Sequence, residues 1–147
     1  MFLAEPPRTN YDLNFAVAGI PVRVHPLFWL IVLVMGSADS RPLSMLVWVA
    51  AVFVSILVHE LGHALAIRHY GWQPWIVLHG FGGAAMHQPT RRDPIAQIVI
   101  AFCGPMAGFL FAGVVLGIVL ASGLTVSMFG IQIGTGEQLI ENPFLQI

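Results

Sequence analysis

A chain of 147 residues in which 57% are hydrophobic and 9% charged is far from a soluble domain, where about a quarter of residues carry charge. A net charge of -1 gives no basic surface for nucleic acid, and a mass of 16.0 kDa leaves room for one unit of roughly three or four membrane spans. The single cysteine, Cys103, has no partner for an internal disulfide and reads as a small buried packing residue. The start, MFLAEPPRTNYDLN, lacks the basic, apolar and small-residue pattern of a secretory signal, so no cleaved leader is expected.

In chain order, residues 1–12 form a polar, proline-containing tail. Asn14 to Val24, NFAVAGIPVRV, is rich in β-branched residues around Gly19-Ile20-Pro21 and predicts a strand or extended arm at the membrane surface. Pro26 suits the first turn of a helix, which runs through an apolar stretch to about residue 38. Roughly a dozen residues reach about 18 Å, short of the ~30 Å hydrocarbon layer, so this first span leans on its flanks or neighbours. After the polar break at Ser37 to Pro42, residues 43–69 predict a second span of roughly 40 Å, ended by Gly71. Gln73 to Gln88 changes character: a β-rich piece, a Gly80-Phe81-Gly82-Gly83 turn and a small-residue return predict a β-hairpin. Asp93 as N-cap and Pro94 at the first helical position open a third span over 94–122. Pro105 should kink it, and the pairs Gly104/Gly108 and Gly113/Gly117 have the spacing that lets membrane helices approach closely. Helix packing is the reading for the second pair. After Gly123 a mixed loop is expected. The fold class is therefore a mainly α membrane protein with three transmembrane helices, a short N-terminal strand and a β-hairpin between the second and third spans. Arg68, Arg91 and Arg92 bracket the loop between those spans, which the positive-inside rule places in the cytoplasm together with the N-terminus.

The chemistry lies in VSILVHELGHALAIRHYG, residues 54–71. His59 and His63 are four apart on a helix and so share a face about one turn apart, as two ligands of one ion must. Glu60 follows at about 100° of rotation, beside the ion instead of on it. H-E-x-x-H on a helix is the zinc-protease signature, in which two imidazoles bind Zn²⁺ and the carboxylate takes a proton from the attacking water. The pattern can arise by chance. It stands, however, roughly 24 Å into a membrane helix, where an ionisable group costs on the order of 2.5 to 3.5 kcal/mol and rarely persists without a partner. A bound dication is the simplest partner. His69 stands where a metzincin's third ligand would be, but Ala66 replaces the required glycine and a continuous helix turns His69 about 120° from His63. It is read as an interfacial side chain. His25, His79 and His87 are read as hydrogen-bonded loop histidines, and Asp93 as a cap.

With these motifs the sequence resembles the site-2 protease family of zinc intramembrane proteases, along nearly its whole length: GIPVRVHP, FVSILVHELGHALAIRHYG, LHGFGGAA, the arginine-rich loop and FCGPMAGFL, which is similar to the family's glycine-proline motif. HELGH is the specific element. The resemblance implies that His59 and His63 are zinc ligands and Glu60 the general base, in one membrane-embedded peptidase core over 1–147. It further implies that a three-span core encloses the site and that an unwound stretch of a transmembrane protein substrate is cut within the bilayer. An extended edge within Trp75 to Met86 could pair with substrate backbone. The setting would be a multi-pass protein of a bacterial-type cell membrane. A catalytic zinc of this type takes three protein ligands. The family's third is an aspartate in a Leu-Asp-Gly or Asn-Pro-Asp-Gly setting on a later helix, and Asn142-Pro143 lacks it, so a C-terminally incomplete chain is expected. The alternatives are a non-catalytic membrane binding protein or pseudoprotease that keeps a partial zinc site and, on thinner support, a metal transporter. Oligomeric state is not readable from these residues.

Overall fold

The computed structural model describes residues 6–37, 41–80, 82–88, 93–123, 126–128 and 131–133. Two compact units divide at Gly108 and Phe109. The first holds β1 (Leu13–Val17), β2 (Ile20–Val24), α1 (Pro26–Gly36), α2 (Pro42–His69), β3 (Pro74–His79), β4 (Gly82–His87) and the first half of α3 (Pro94–Ala121). The second holds the rest of α3 and the short antiparallel pair β5 (Val126–Met128) and β6 (Ile131–Ile133), where the sequence predicted only loop.

The N-terminal arm is a hairpin, not a lone strand. Ala18 (φ 51) and Gly19 (φ 77) give the left-handed pair of a two-residue turn whose twist matches the flanking strands. β2 then pairs parallel with β3, and β3 antiparallel with β4, in one sheet of order β1-β2-β3-β4. A parallel pair needs a long crossover, and here it is the α1–α2 helical hairpin. This is why a β-rich arm and a β-rich loop some fifty residues apart become one sheet.

Ile20, Val22, Val24, Ile76 and Leu78 lie buried with Phe28 and Val32 of α1 and Ala64 of α2. Phe53 of α2 seals this core, tilted against Phe15, Phe28 and Trp29 with ring centroids 5.2 to 6.4 Å apart. The His25 N–H donates to the Leu78 carbonyl (2.8 Å), and His25 Nδ1 accepts from the Leu27 N–H (3.1 Å), so this histidine caps α1. At the other end of α2, Arg68 donates to the Ala18 carbonyl (2.6 Å) and tethers the helix terminus to the β1–β2 turn.

The helix starts follow the sequence. Pro26, Pro42 and Pro94 each open a helix, and Asp93 Oδ1 accepts from the N–H groups of Ile95 (3.0 Å) and Ala96 (3.1 Å). α2 and α3 have 28 residues each, about 42 Å at the α-helical rise, enough to cross a bilayer. The apolar segment of α2 is 0% buried and that of α3 11% buried within the protein, so neither is the core helix of a soluble domain, and large apolar side chains such as Leu46, Phe102 and Leu110 stand exposed. Both helices have the length, the apolar composition and the exposed apolar surface that suit a membrane. Among the described residues two helices, not three, are long enough by themselves: α1 has 11 residues, about 16 Å, and Phe28 and Val32 on it are buried in the sheet's core.

Outside the membrane helices, Asp12 closes the N-terminal hairpin. Its carboxylate accepts from the Thr9 hydroxyl (2.6 Å), the Thr9 N–H (3.1 Å) and Arg23 (2.9 Å), and its pKa is lowered to about 2, first by the Thr9 hydroxyl and then by Arg23. A carboxyl whose folded pKa lies below its unfolded value stabilises the fold above the unfolded value and loses that contribution as pH falls through the folded one. Asp12→Asn should therefore unfold more readily than wild type near neutral pH. The difference should shrink as pH drops from about 4 towards about 2, as followed by thermal melts in detergent, and a difference independent of pH would contradict this account.

Candidate metal centre

The two histidines of α2 converge. His59 Nε2 and His63 Nε2 are 3.2 Å apart, and the rings stand edge to face with centroids 4.9 Å apart. Two nitrogens bound at about 2.0–2.1 Å to one tetrahedral ion lie about 3.3 Å from each other, so the pair spans one edge of such a site. His63 Nδ1 is 2.6 Å from the Ile100 carbonyl of α3. A carbonyl only accepts, so Nδ1 carries the proton and Nε2 keeps its lone pair for an ion, the arrangement usual in metal-ligating histidines.

Glu60 is 6% exposed and turns from the histidines towards β4. The Ala85 N–H donates to its carboxylate, and a Cβ on Gly83 would stand 2.8 Å from its Cδ and Oε1. The small-residue strand is thus the surface against which the carboxylate is laid. His59, Glu60, His63, Gly83 to Ala85, His87, Gln97, Ile100 and Ala101 line a cavity of about 430 Å³. A larger cavity of about 1060 Å³, lined by Arg68, Trp72, Trp75 and Gln88 among others, lies beyond Trp72 and holds no set of metal-ligating side chains. Trp72 and His87 stack with rings 5.1 Å apart and 5° from parallel, a wall between the two.

Close approach of α3 makes the centre. A Cβ on Gly104 would run into the His63 imidazole, one on Gly62 would meet the Cys103 carbonyl, and Gly108 lies within van der Waals reach of His59 Nδ1. Gly104 and Gly108 therefore seat the imidazoles. No described atom lies within 4 Å of a Cβ at Gly113 or Gly117, so the packing expected of that second pair is not made among the described residues. Cys103 is half-buried, not fully buried as its setting suggested.

His69 is exposed and edge-on to Tyr70, 5.7 Å away, outside the cavity. His87, read from sequence as a loop residue, ends strand β4 and faces the cavity, where burial holds its imidazole below the ordinary value. Gln97 also lines the cavity, and no motif in the sequence marks it. Among the described residues no cluster of three His, Cys, Asp or Glu could hold a metal ion. His59 and His63 fit two positions of a zinc site, and no described residue supplies a third. Asn142-Pro143 lies outside the described residues.

No family model matches the chain. It is 32% identical over 114 residues to a zinc metalloprotease of Methanocaldococcus jannaschii, a match covering 75% of this chain and 33% of the relative. A solved structure, the site-2 protease from Methanocaldococcus jannaschii, superposes with a TM-score of 0.58 at 27% identity, covering 83% of this chain and 56% of that one. The chain belongs to the site-2 protease family. It spans about a third of the length of the curated relative it matches. The curated relative is named a zinc metalloprotease, a name that agrees with the convergent Nε2 atoms of this chain and with Glu60 beside them.

The glycine under His63 gives a direct check. Gly104→Ala should displace the imidazole from the Ile100 carbonyl and weaken zinc binding by on the order of 10- to 100-fold, as losses of such outer-shell support do. Gly113→Ala should leave zinc affinity unchanged. Competition against a fluorescent chelator measures both, and equal affinities in the two variants would contradict the geometry.

Proposed function

We propose that this chain is the core of a zinc-dependent intramembrane endopeptidase that cleaves transmembrane segments of membrane proteins. The observation that carries the reading is the pairing of two Nε2 atoms 3.2 Å apart with a buried carboxylate laid on an edge strand beside them. His59 and His63 would hold the ion through Nε2, and the Ile100 carbonyl fixes the His63 tautomer. Zinc, when bound, lowers the pKa of water to about 7 and polarises the scissile carbonyl. Glu60 accepts the proton of the attacking water on its carboxylate and can deliver it to the leaving amine, ordinary general acid–base work. The third ligand comes from outside the described residues.

β4 is the last strand of its sheet, so an extended peptide can add beside it by main-chain hydrogen bonds. A substrate helix must unwind before its carbonyls can reach the site, and strand addition repays the backbone hydrogen bonds it gives up. In this reading α1, α2 and α3 are the three spans, α1 relying on the neighbours it packs against. The N-terminus and the β3–β4 hairpin face the cytoplasm, since Arg68, Arg91 and Arg92 flank the hairpin. Lipid covers the exposed apolar faces of α2 and α3.

The absence of a third ligand among the described residues favours one competing reading, a non-catalytic membrane protein or pseudoprotease with a partial zinc site. Glu60→Gln separates them. The peptidase reading expects cleavage of a membrane-helix substrate by the full gene product to fall about 10²- to 10⁴-fold with zinc content intact. Undiminished cleavage in the variant, or no cleavage by zinc-loaded wild type, would contradict it.

A further inference from the structure

The cavity at the metal centre is lined mainly by groups that either serve the ion or carry no hydrogen-bonding side chain. Two side chains are exceptions. His87, at the end of β4, and Gln97, in the first turn of α3, both line it, and among the described residues neither side chain makes a hydrogen bond. His87 is nevertheless fixed, because its ring lies flat on Trp72 at 5.1 Å. Such a stack holds the imidazole plane and leaves both ring nitrogens at its edge free to meet a ligand. Gln97 adds an amide, donor and acceptor together, from the helix that forms another wall of the same cavity.

Strand periodicity sets where a substrate would meet them. Alternate residues share a face, so Gly83, Ala85 and His87 face α2 together, and Gly83 is the one opposite the Glu60 carboxylate. From Gly83 to His87 is four residues, about 13 Å along a strand. The intervening face carries only the methyl group of Ala85, which leaves room for a substrate's side chains but distinguishes little among them. The first group able to choose is His87.

We propose that His87 and Gln97 are specificity-determining residues that bind a hydrogen-bonding side chain of the substrate four residues from the scissile peptide. This rests on the reading of the centre as a peptidase and of β4 as the strand to which substrate adds. The recognised class is a membrane segment with one uncharged polar residue, such as asparagine, at that distance from the cut. His87 is half-buried and Gln97 exposed; a site that hydrogen-bonds a substrate side chain discriminates against the apolar analogue, and most strongly at the half-buried imidazole, where water replaces the lost partner least well. The same polar residue would also weaken the substrate helix near the place where it must open.

The test uses the zinc-loaded full gene product carrying Glu60→Gln, which binds without cutting, in lipid nanodiscs. The probes are synthetic transmembrane peptides of leucine and alanine around a central Gly-Ala cleavage segment, with asparagine or leucine placed at successive positions. Binding should be about tenfold tighter with asparagine at one position, four residues from the cut, than with leucine there. His87→Phe keeps the stack on Trp72 but has no ring nitrogen, and Gln97→Leu alters a different element; each should erase most of that preference while zinc content stays unchanged. A flat profile in the parent protein would overturn the proposal even if a variant fails to fold, and so would a preference that survives either substitution. The peptidase reading is scored separately, by whether the protein with Glu60 intact cuts the peptides that the Glu60→Gln form binds.

Discussion

Everything at this centre depends on how closely α3 approaches α2. At Gly62 the neighbouring helix is near enough that any side chain would collide with the Cys103 carbonyl, and at Gly104 any side chain would collide with the His63 ring. That approach delivers the Ile100 carbonyl to His63 Nδ1 at 2.6 Å. The proton is thereby held on one nitrogen and the lone pair of the other is aimed at His59. Without the approach, two histidines one turn apart on a helix would keep their spacing but lose a fixed tautomer and ring plane. An ion needs donors that are already oriented, since each freed rotamer adds to the entropy lost on binding.

The sheet performs the matching task on the other side of α2. Its buried strands β2 and β3 rest on α1 and α2, which leaves β4, made of glycine, alanine, methionine and histidine, at the edge beside Glu60. A buried carboxylate requires hydrogen-bond donors, and the Ala85 N–H provides one. Small residues on β4 thus have two consequences from one cause: the carboxylate can lie against the backbone, and space remains for a second extended chain. A bulky residue at Gly83 would remove both.

Much of this was legible in the sequence. Proline and aspartate at helix starts, the glycine at position 71 and the histidine spacing are local signals, and local signals fixed the limits of α2 and α3 to within a residue or two. His69 could be set aside by rotation alone, and it stands outside the cavity. What escaped was long-range. The parallel pairing of β2 with β3 joins segments on either side of two helices, and no periodicity within either strand announces it. Gly104 and Gly108 were legible as small residues that admit a neighbour, but not as the seat of two imidazoles, because their partner is specified only by the crossing of the helices. His87 read as a loop histidine for the same reason: its stacking partner Trp72 lies across the hairpin, fifteen positions earlier in the chain. The third zinc ligand has no counterpart among the described residues.

The central claim, that His59 and His63 together hold zinc through Nε2, is tested most directly by X-ray absorption at the zinc edge on the full gene product in bilayers. The account predicts a first shell containing two imidazole nitrogens at about 2.0–2.1 Å, with the outer-shell scattering of the rings halved or lost in His63→Ala. A shell without imidazole scattering, or one unchanged by that substitution, would contradict it.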